Sequence, residues 1–135
     1  MERQPRQTRQ KEAVYDAIVA SGRSLNAYEI HELARAQVPT LSLSTVYRQL
    51  RGLAEARQVD RVELPGQPPR FEARIQPVQH RHAHALHHHH HFHCTRCDQV
   101  FPIEGCPGGL DTLAPRGFRV ERHDITLHGR CAACA

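Results

Sequence analysis

The 135-residue chain has no Trp, one Met, three Tyr and four Phe, so aromatics make up only 5% of it. Apolar residues reach 39%, and the mean hydropathy is -0.60. Core material is therefore lean. This length holds one ordinary domain or two small ones, and two small lobes would each bury little apolar surface. At least one lobe then needs a staple: a metal, a partner chain or disulfides. Long apolar runs are missing as well, since none approaches the roughly 18 residues of a membrane span. Residues 1–11 are polar and basic and lack the apolar stretch of a secretory signal, so a cytoplasmic protein with no membrane partner is expected. Lysine is nearly absent. Of 18 Lys plus Arg only Lys11 is a lysine, against 14 Asp plus Glu, for a formal charge of +4. Arginine suits bidentate contact with phosphate and guanine, or it reflects a GC-rich genome. The excess, which lies mainly before residue 76, permits nucleic-acid binding without demanding it.

Cysteine and histidine carry the chemical signal. Five Cys fall at 94, 97, 106, 131 and 134. An odd count without a secretory signal argues against a disulfide framework. Four of them form two CxxC pairs, Cys94-Thr-Arg-Cys97 and Cys131-Ala-Ala-Cys134. Two residues between thiolates let both reach one tetrahedral ion, and two such knuckles close a Cys₄ site, so Cys94, Cys97, Cys131 and Cys134 are expected to hold structural zinc. Twelve His are present, most of them between His80 and His93. The plainest reading of this tract is an exposed loop with loose affinity for borderline metals. If the residues before Cys94 form a strand, alternate side chains face opposite ways. His89 and His91 then point to one side and His88 and His90 to the other, so one tract could feed two metal sites.

The first 75 residues read as three helices and a hairpin. Thr8 can cap a helix over residues 10–20, with Val14, Ala17 and Ile18 inward and Ser21-Gly22 ending it. Asn26 followed by Glu29 has the form of a capping box. It opens a helix with Ile30, Leu33 and Ala34 inward, ending before Pro39. Ser42 or Ser44 caps a third helix with Val46, Leu50 and Leu53 inward. Residues 59–64 and 70–75, joined by a turn over 65–69, read as two strands. Helix, helix–turn–helix and a two-stranded wing is the winged-helix order; a small helical domain without a DNA role is the alternative. Beyond residue 92 the pattern is α/β: strands around Phe92 and over 100–103, a short helix over 110–114, and strands over 118–121 and 123–127. The expected fold is thus α+β, with a winged helix-turn-helix (1–75), a linker and His-rich insert (76–91) and a small α/β metal-binding domain (92–135).

Several stretches resemble the ferric uptake regulator family of metal-dependent repressors. They are Arg6-Gln-Thr-Arg-Gln-Lys11, Leu43-Ser-Thr-Val-Tyr-Arg-Gln-Leu50, Arg70-Phe-Glu72, residues 87–97, and Gly117-Phe118 through His123 to Cys134. The resemblance implies a homodimer that binds a palindromic operator in double-stranded DNA, a C-terminal dimerisation domain and a regulatory metal site at the hinge. The regulatory ligands would come from His89 and His91 with Asp60 or Glu72, and an accessory site from His88, His90 and His123. Arg48 would read guanine and Tyr47 backbone or thymine, although core packing is the plain alternative for Tyr47. Tyr28, Ser44 and Thr45 would lie alongside on the DNA. Ala27-Tyr28-Glu29 and His128-Gly-Arg-Cys131-Ala-Ala-Cys134 look most like the zinc-uptake branch. Ser24 stands where the iron, manganese and peroxide branches usually place a histidine ligand. Gly109 replaces a carboxylate ligand, and Glu104, Cys106 and Asp111 are the nearby substitutes. Residues 76–86 look like an insertion. The function implied is a zinc-responsive repressor, with Mn2+ or Fe2+ as alternative effectors. A zinc-buffering protein built on the His tract is the reading from a different class. No zincin or deaminase motif occurs, so an enzyme is not expected.

Overall fold

A computed structural model of the chain describes residues 5–74 and 90–135. The segment 75–89, with Ile75, His88 and His89, lies outside the described residues. Two compact units are present, Met1–Gln76 and Pro77–Ala135.

In the first unit, helix α1 (Arg6–Ser21) begins earlier than expected, after Pro5 rather than at Thr8. Proline's fixed φ prepares the first turn, and Thr8 N–H already donates to Pro5 O at 2.9 Å, so Thr8 lies inside the helix. Gly22 ends it at φ 61, a left-handed conformation that costs glycine little. Strand β1 (Leu25–Asn26) leads into α2 (Ala27–Ala34). Asn26 caps α2 as expected: its side chain accepts from Glu29 N–H at 2.9 Å, and Glu29 Oε1 accepts from Asn26 N–H at 3.1 Å. Ile30 and Ala34 are buried, but Leu33 is 48% exposed, contrary to expectation. The helix stops at Ala34, so only one side of this short stretch faces the core. His31 Nε2–H donates to Leu41 O at 2.6 Å and closes the turn into α3 (Leu43–Glu55). Ser42 caps α3 by accepting from Thr45 N–H.

Val46, Leu50 and Leu53 of α3 join Val14, Ile18, Leu25, Ile30, Val59 and Phe71 in one core. Each such side chain contributes roughly 1.5–3 kcal/mol by leaving water. The wing strands β2 (Val59–Val62) and β3 (Arg70–Ala73) are shorter than expected, and β1 joins them in the order β1-β3-β2. A two-residue strand leaves no period-2 pattern, which is why β1 is invisible in the sequence. Arg70 is 2% exposed and pairs with Glu29 Oε1 at 3.4 Å, while Glu29 Oε2 takes Arg23 at 2.7 Å. One carboxylate thus caps a helix and anchors the wing.

The second unit is a three-stranded sheet in the order β5-β4-β6. Strand β4 (His90–Cys94) pairs antiparallel with β5 (Val100–Ile103) and parallel with β6 (Thr126–Gly129). His90 and His91, assigned above to the linker, belong to β4. The helix expected over 110–114 is a 3₁₀ turn, Leu110–Leu113. The strand expected over 118–121 does not form: Phe118 and Val120 are exposed and have no neighbouring strand among the described residues. The last strand starts at Thr126, three residues beyond its expected start at His123. No helix among the described residues is long and apolar enough to cross a membrane.

Leu50 is 1% exposed and carries α3 on the core. Leu50→Ala should lower the stability of the first unit by about 2–5 kcal/mol. Urea unfolding followed by helical circular dichroism measures this directly.

Candidate metal centres and nucleic-acid interface

The two knuckles meet at the end of the β4–β6 pair. Cys94 ends β4, and Cys131 follows β6 by two residues. The sulfurs of Cys94, Cys97, Cys131 and Cys134 lie within 4.8 Å of one another. A tetrahedral ion with 2.3 Å bonds to sulfur has edges of about 3.8 Å, and Cys97 Sγ stands 3.8 Å from Cys131 Sγ. The donor set therefore fits a metal ion of that size. All five cysteines are free of disulfides.

Backbone groups prepare the sulfurs. Cys97 N–H and Cys131 N–H both point at Cys94 Sγ, at 3.5 and 3.3 Å. These donors, led by Cys97, lower the Cys94 thiol to about 6 against the opposing effect of burial. Gln99 N–H lowers Cys97, but burial and the neighbouring sulfurs outweigh it and the thiol ends above its ordinary value. Cys134 is pushed up to about 12, first by Cys131 beside it and then by burial. Four sulfurs this close cannot all carry charge unless a cation joins them.

A second cluster lies at the other end of the sheet. The ligating atoms of His90, Cys106 and His123 also fall within 4.8 Å of one another. The His90 and His123 rings stack with centroids 5.2 Å apart. His91, the next residue of β4, is not in this group, as strand alternation requires. Cys106 entered the sequence analysis only as a nearby substitute ligand. Its signal was that it is the odd cysteine, standing between Gly105 and Pro107-Gly108-Gly109. His93, unassigned before, donates from Nε2 to Asp98 Oδ1 at 2.6 Å and sits edge-on to His128.

In the first unit, Asp60 and Glu72 are directly opposite across β2 and β3. Both are therefore on one face of the wing. Glu72 is 4% exposed, and Ser24 Oγ–H donates to its Oε2 at 2.7 Å. In the sequence Ser24 stands out only as a departure from a histidine; its pairing with Glu72 joins residues 48 apart and leaves no local pattern. On α3, Ser44 and Arg48 are exposed, and Tyr47 is 42% exposed, so core packing is not its role. Thr45 Oγ1 accepts from Ser42 Oγ at 2.9 Å, and Ser44 Oγ lies 3.1 Å from the same hydroxyl. Arg48 makes no ion pair among the described residues. Tyr28 stands 62% exposed at the start of α2. This leaves a polar, Arg- and Tyr-bearing helix face held rigidly by the buried Val46 and Leu50.

A winged helix joined to a unit with two Cys/His donor clusters defines a class of metal-dependent regulator. A sequence model of the ferric uptake regulator family matches residues 2–128. The chain belongs to that family, whose members are transcription regulators and not enzymes. It is 29% identical over 131 residues to the ferric uptake regulation protein of Bacillus subtilis, covering 94% of this chain and 83% of that one. The peroxide operon regulator of Bacillus subtilis is 26% identical over 132 residues, covering 95% and 83%. A zinc uptake regulator solved in complex with zinc and DNA is 27% identical, with a TM-score of 0.60 and coverage of 92% and 79%.

At pH 7 Cys97 and Cys134 hold their protons, so loading a metal should release at least two protons per chain. Apparent affinity should therefore fall as pH falls, because protons compete for the same sulfurs. Metal titration in weak buffer with a pH indicator reads both effects. Cys94→Ser should remove one tightly held metal and unfold the second unit while α1–α3 remain helical. Metal analysis together with amide chemical-shift dispersion checks this.

Proposed function

We propose that the protein is a zinc-responsive repressor that binds a palindromic operator as a homodimer. The observation that carries the zinc reading is the Ser24–Glu72 hydrogen bond. A hydroxyl occupies the position where the iron, manganese and peroxide branches usually place a histidine ligand, and it engages the carboxylate of that region. Likeness to the zinc uptake regulator complexed with zinc and DNA supports the same reading. Zinc suits the Cys₄ set, in which Cys94, Cys97, Cys131 and Cys134 would hold a closed structural ion.

The regulatory ligands we propose are His89 and His91 with Asp60 or Glu72. Histidines from the second unit combined with wing carboxylates would fix the hinge, raising the population of dimers whose two α3 helices match successive major grooves. Arg48 is the residue proposed to read a base, as its guanidinium can bond guanine bidentately. Tyr47 and Tyr28 would contact backbone or thymine methyl groups, and Ser44 and Thr45 would contact phosphate. Exposed apolar side chains on the second unit, Leu113 at 80% and Phe118 at 72%, support a second copy as its partner.

Binding to an operator-like palindrome, titrated with zinc, manganese and ferrous iron under reducing conditions, tests the proposal. Zinc should strengthen binding at the lowest free concentration. The repressor reading fails if no metal changes the affinity. Arg48→Ala should weaken specific binding by about 1–3 kcal/mol with dimerisation intact; an equal loss on random DNA would make Arg48 a phosphate contact. The double change His89→Ala with His91→Ala should keep fold and dimer yet abolish the metal response. A double variant that still switches with zinc would remove these histidines from the sensor.

A further inference from the structure

We propose that Cys106 is a metal ligand, completing with His90 and His123 a second site that takes zinc-class ions in preference to manganese or ferrous iron. The proposal rests on the reading of His90 and His123 as accessory ligands and adds the donor that sets the metal class.

Cys106 lies outside both knuckles, in the loop between β5 and the 3₁₀ turn, and its Sγ is 3.0 Å from His123 Nε2. A thiol that close is already within reach of any ion held by the imidazole. Zinc bonds of about 2.3 Å to sulfur and 2.0–2.1 Å to nitrogen separate the two donors by roughly 3.5 Å at tetrahedral angles. The exposed loop therefore has to yield by about half an ångström. The local sequence explains why the loop can bring Cys106 back to the sheet. Gly105, Gly108 and Gly109 adopt φ of 101, 69 and 66, conformations that other residues rarely hold. Three such positions around one cysteine turn the chain sharply after β5.

His90 is fixed from the opposite side. It begins β4, pairs with Ile103 of β5, and is 2% exposed. Ile125 N–H donates to its Nδ1 at 3.1 Å. A metal on Nδ1 exchanges that hydrogen bond for a coordinate bond, and a metal on Nε2 moves the ring proton to Nδ1, which can then no longer accept from Ile125 N–H. Either change costs the site a hydrogen bond that the Cys₄ cluster does not sacrifice. That loss makes this ion more exchangeable than one enclosed by four sulfurs. One thiolate and two imidazoles form a borderline-soft set, suited to zinc and poorly matched to manganese or magnesium, which prefer carboxylate and water oxygen.

The test uses the full chain under reducing conditions, with one zinc retained per chain in the Cys₄ cluster, and adds Co2+. The wild-type protein should bind cobalt with a sulfur-to-cobalt charge-transfer band in the near ultraviolet and without releasing zinc. Cys106→Ala should lose that band while keeping its zinc, and His123→Ala should lose it as well. The His-rich tract can bind cobalt too, but it has no sulfur and gives no such band. In Cys106→Asp the band should vanish and competition should shift from zinc toward manganese. An unchanged band in Cys106→Ala, or a wild-type band that grows only as zinc is released, would overturn the proposal. The readout involves no DNA. Failure of metal-dependent operator binding therefore leaves it standing, and loss of the cobalt band leaves the repressor reading untouched.

Discussion

Cysteine sulfur does in the second unit what hydrocarbon does in the first. The winged-helix unit buries a continuous cluster of Val, Leu, Ile and Phe. In the described part of the second unit the buried apolar residues are Cys94, Val100 and Cys131 alone. Two of these three belong to the knuckles, and Cys94 Sγ accepts backbone N–H groups from both. The small sheet is therefore closed at one end by a thiol cluster. Deficits of tryptophan and of apolar side chains in the sequence already point to a lobe that a hydrophobic core cannot hold together.

Much of the fold was legible because its determinants are local. The Asn26–Glu29 capping box, the Val46-Leu50-Leu53 stripe and the two CxxC pairs each occupy a short window, and the structure reproduces their geometry. Elements with non-local determinants were missed or misplaced. Strand β1 exists because Leu25 pairs with Phe71, far along the chain. The segment 118–121 alternates like a strand yet has none beside it among the described residues, because alternation records what a segment would bury and not whether a neighbour is present. At the candidate sites, alternation along β4 puts His90 and His91 on opposite faces, and His90 is the one grouped with Cys106 and His123. Cys106 stood in the sequence as one of several candidates, since its proximity to His123 depends on a glycine-rich turn with no periodicity.

The first unit shows how a mostly polar sequence makes a rigid reading head. Glu29 takes part in the capping box, in the pair with Arg23 and in the contact with buried Arg70. Helix α2 and the wing are thereby tied through one carboxylate. Ser24, just before β1, and Glu72 of β3 add a second tie. Such charge-assisted contacts fix relative orientation with few apolar atoms, which suits a chain so poor in aromatics.

Strands β4 and β6 run side by side with a donor cluster at each end: His90 and His123 at one, Cys94 and Cys131 at the other. Their parallel register, His91 with Thr126 through Cys94 with Gly129, sets both clusters at once. A slip of one residue would turn alternate side chains to the wrong face and dismantle both donor sets together. Metal capture at either end would thus act as a proofreading step during folding. A chain that zipped these strands in the wrong frame would gain no coordinate bonds and stay free to unzip and try again, whereas the correct frame would be locked from both ends.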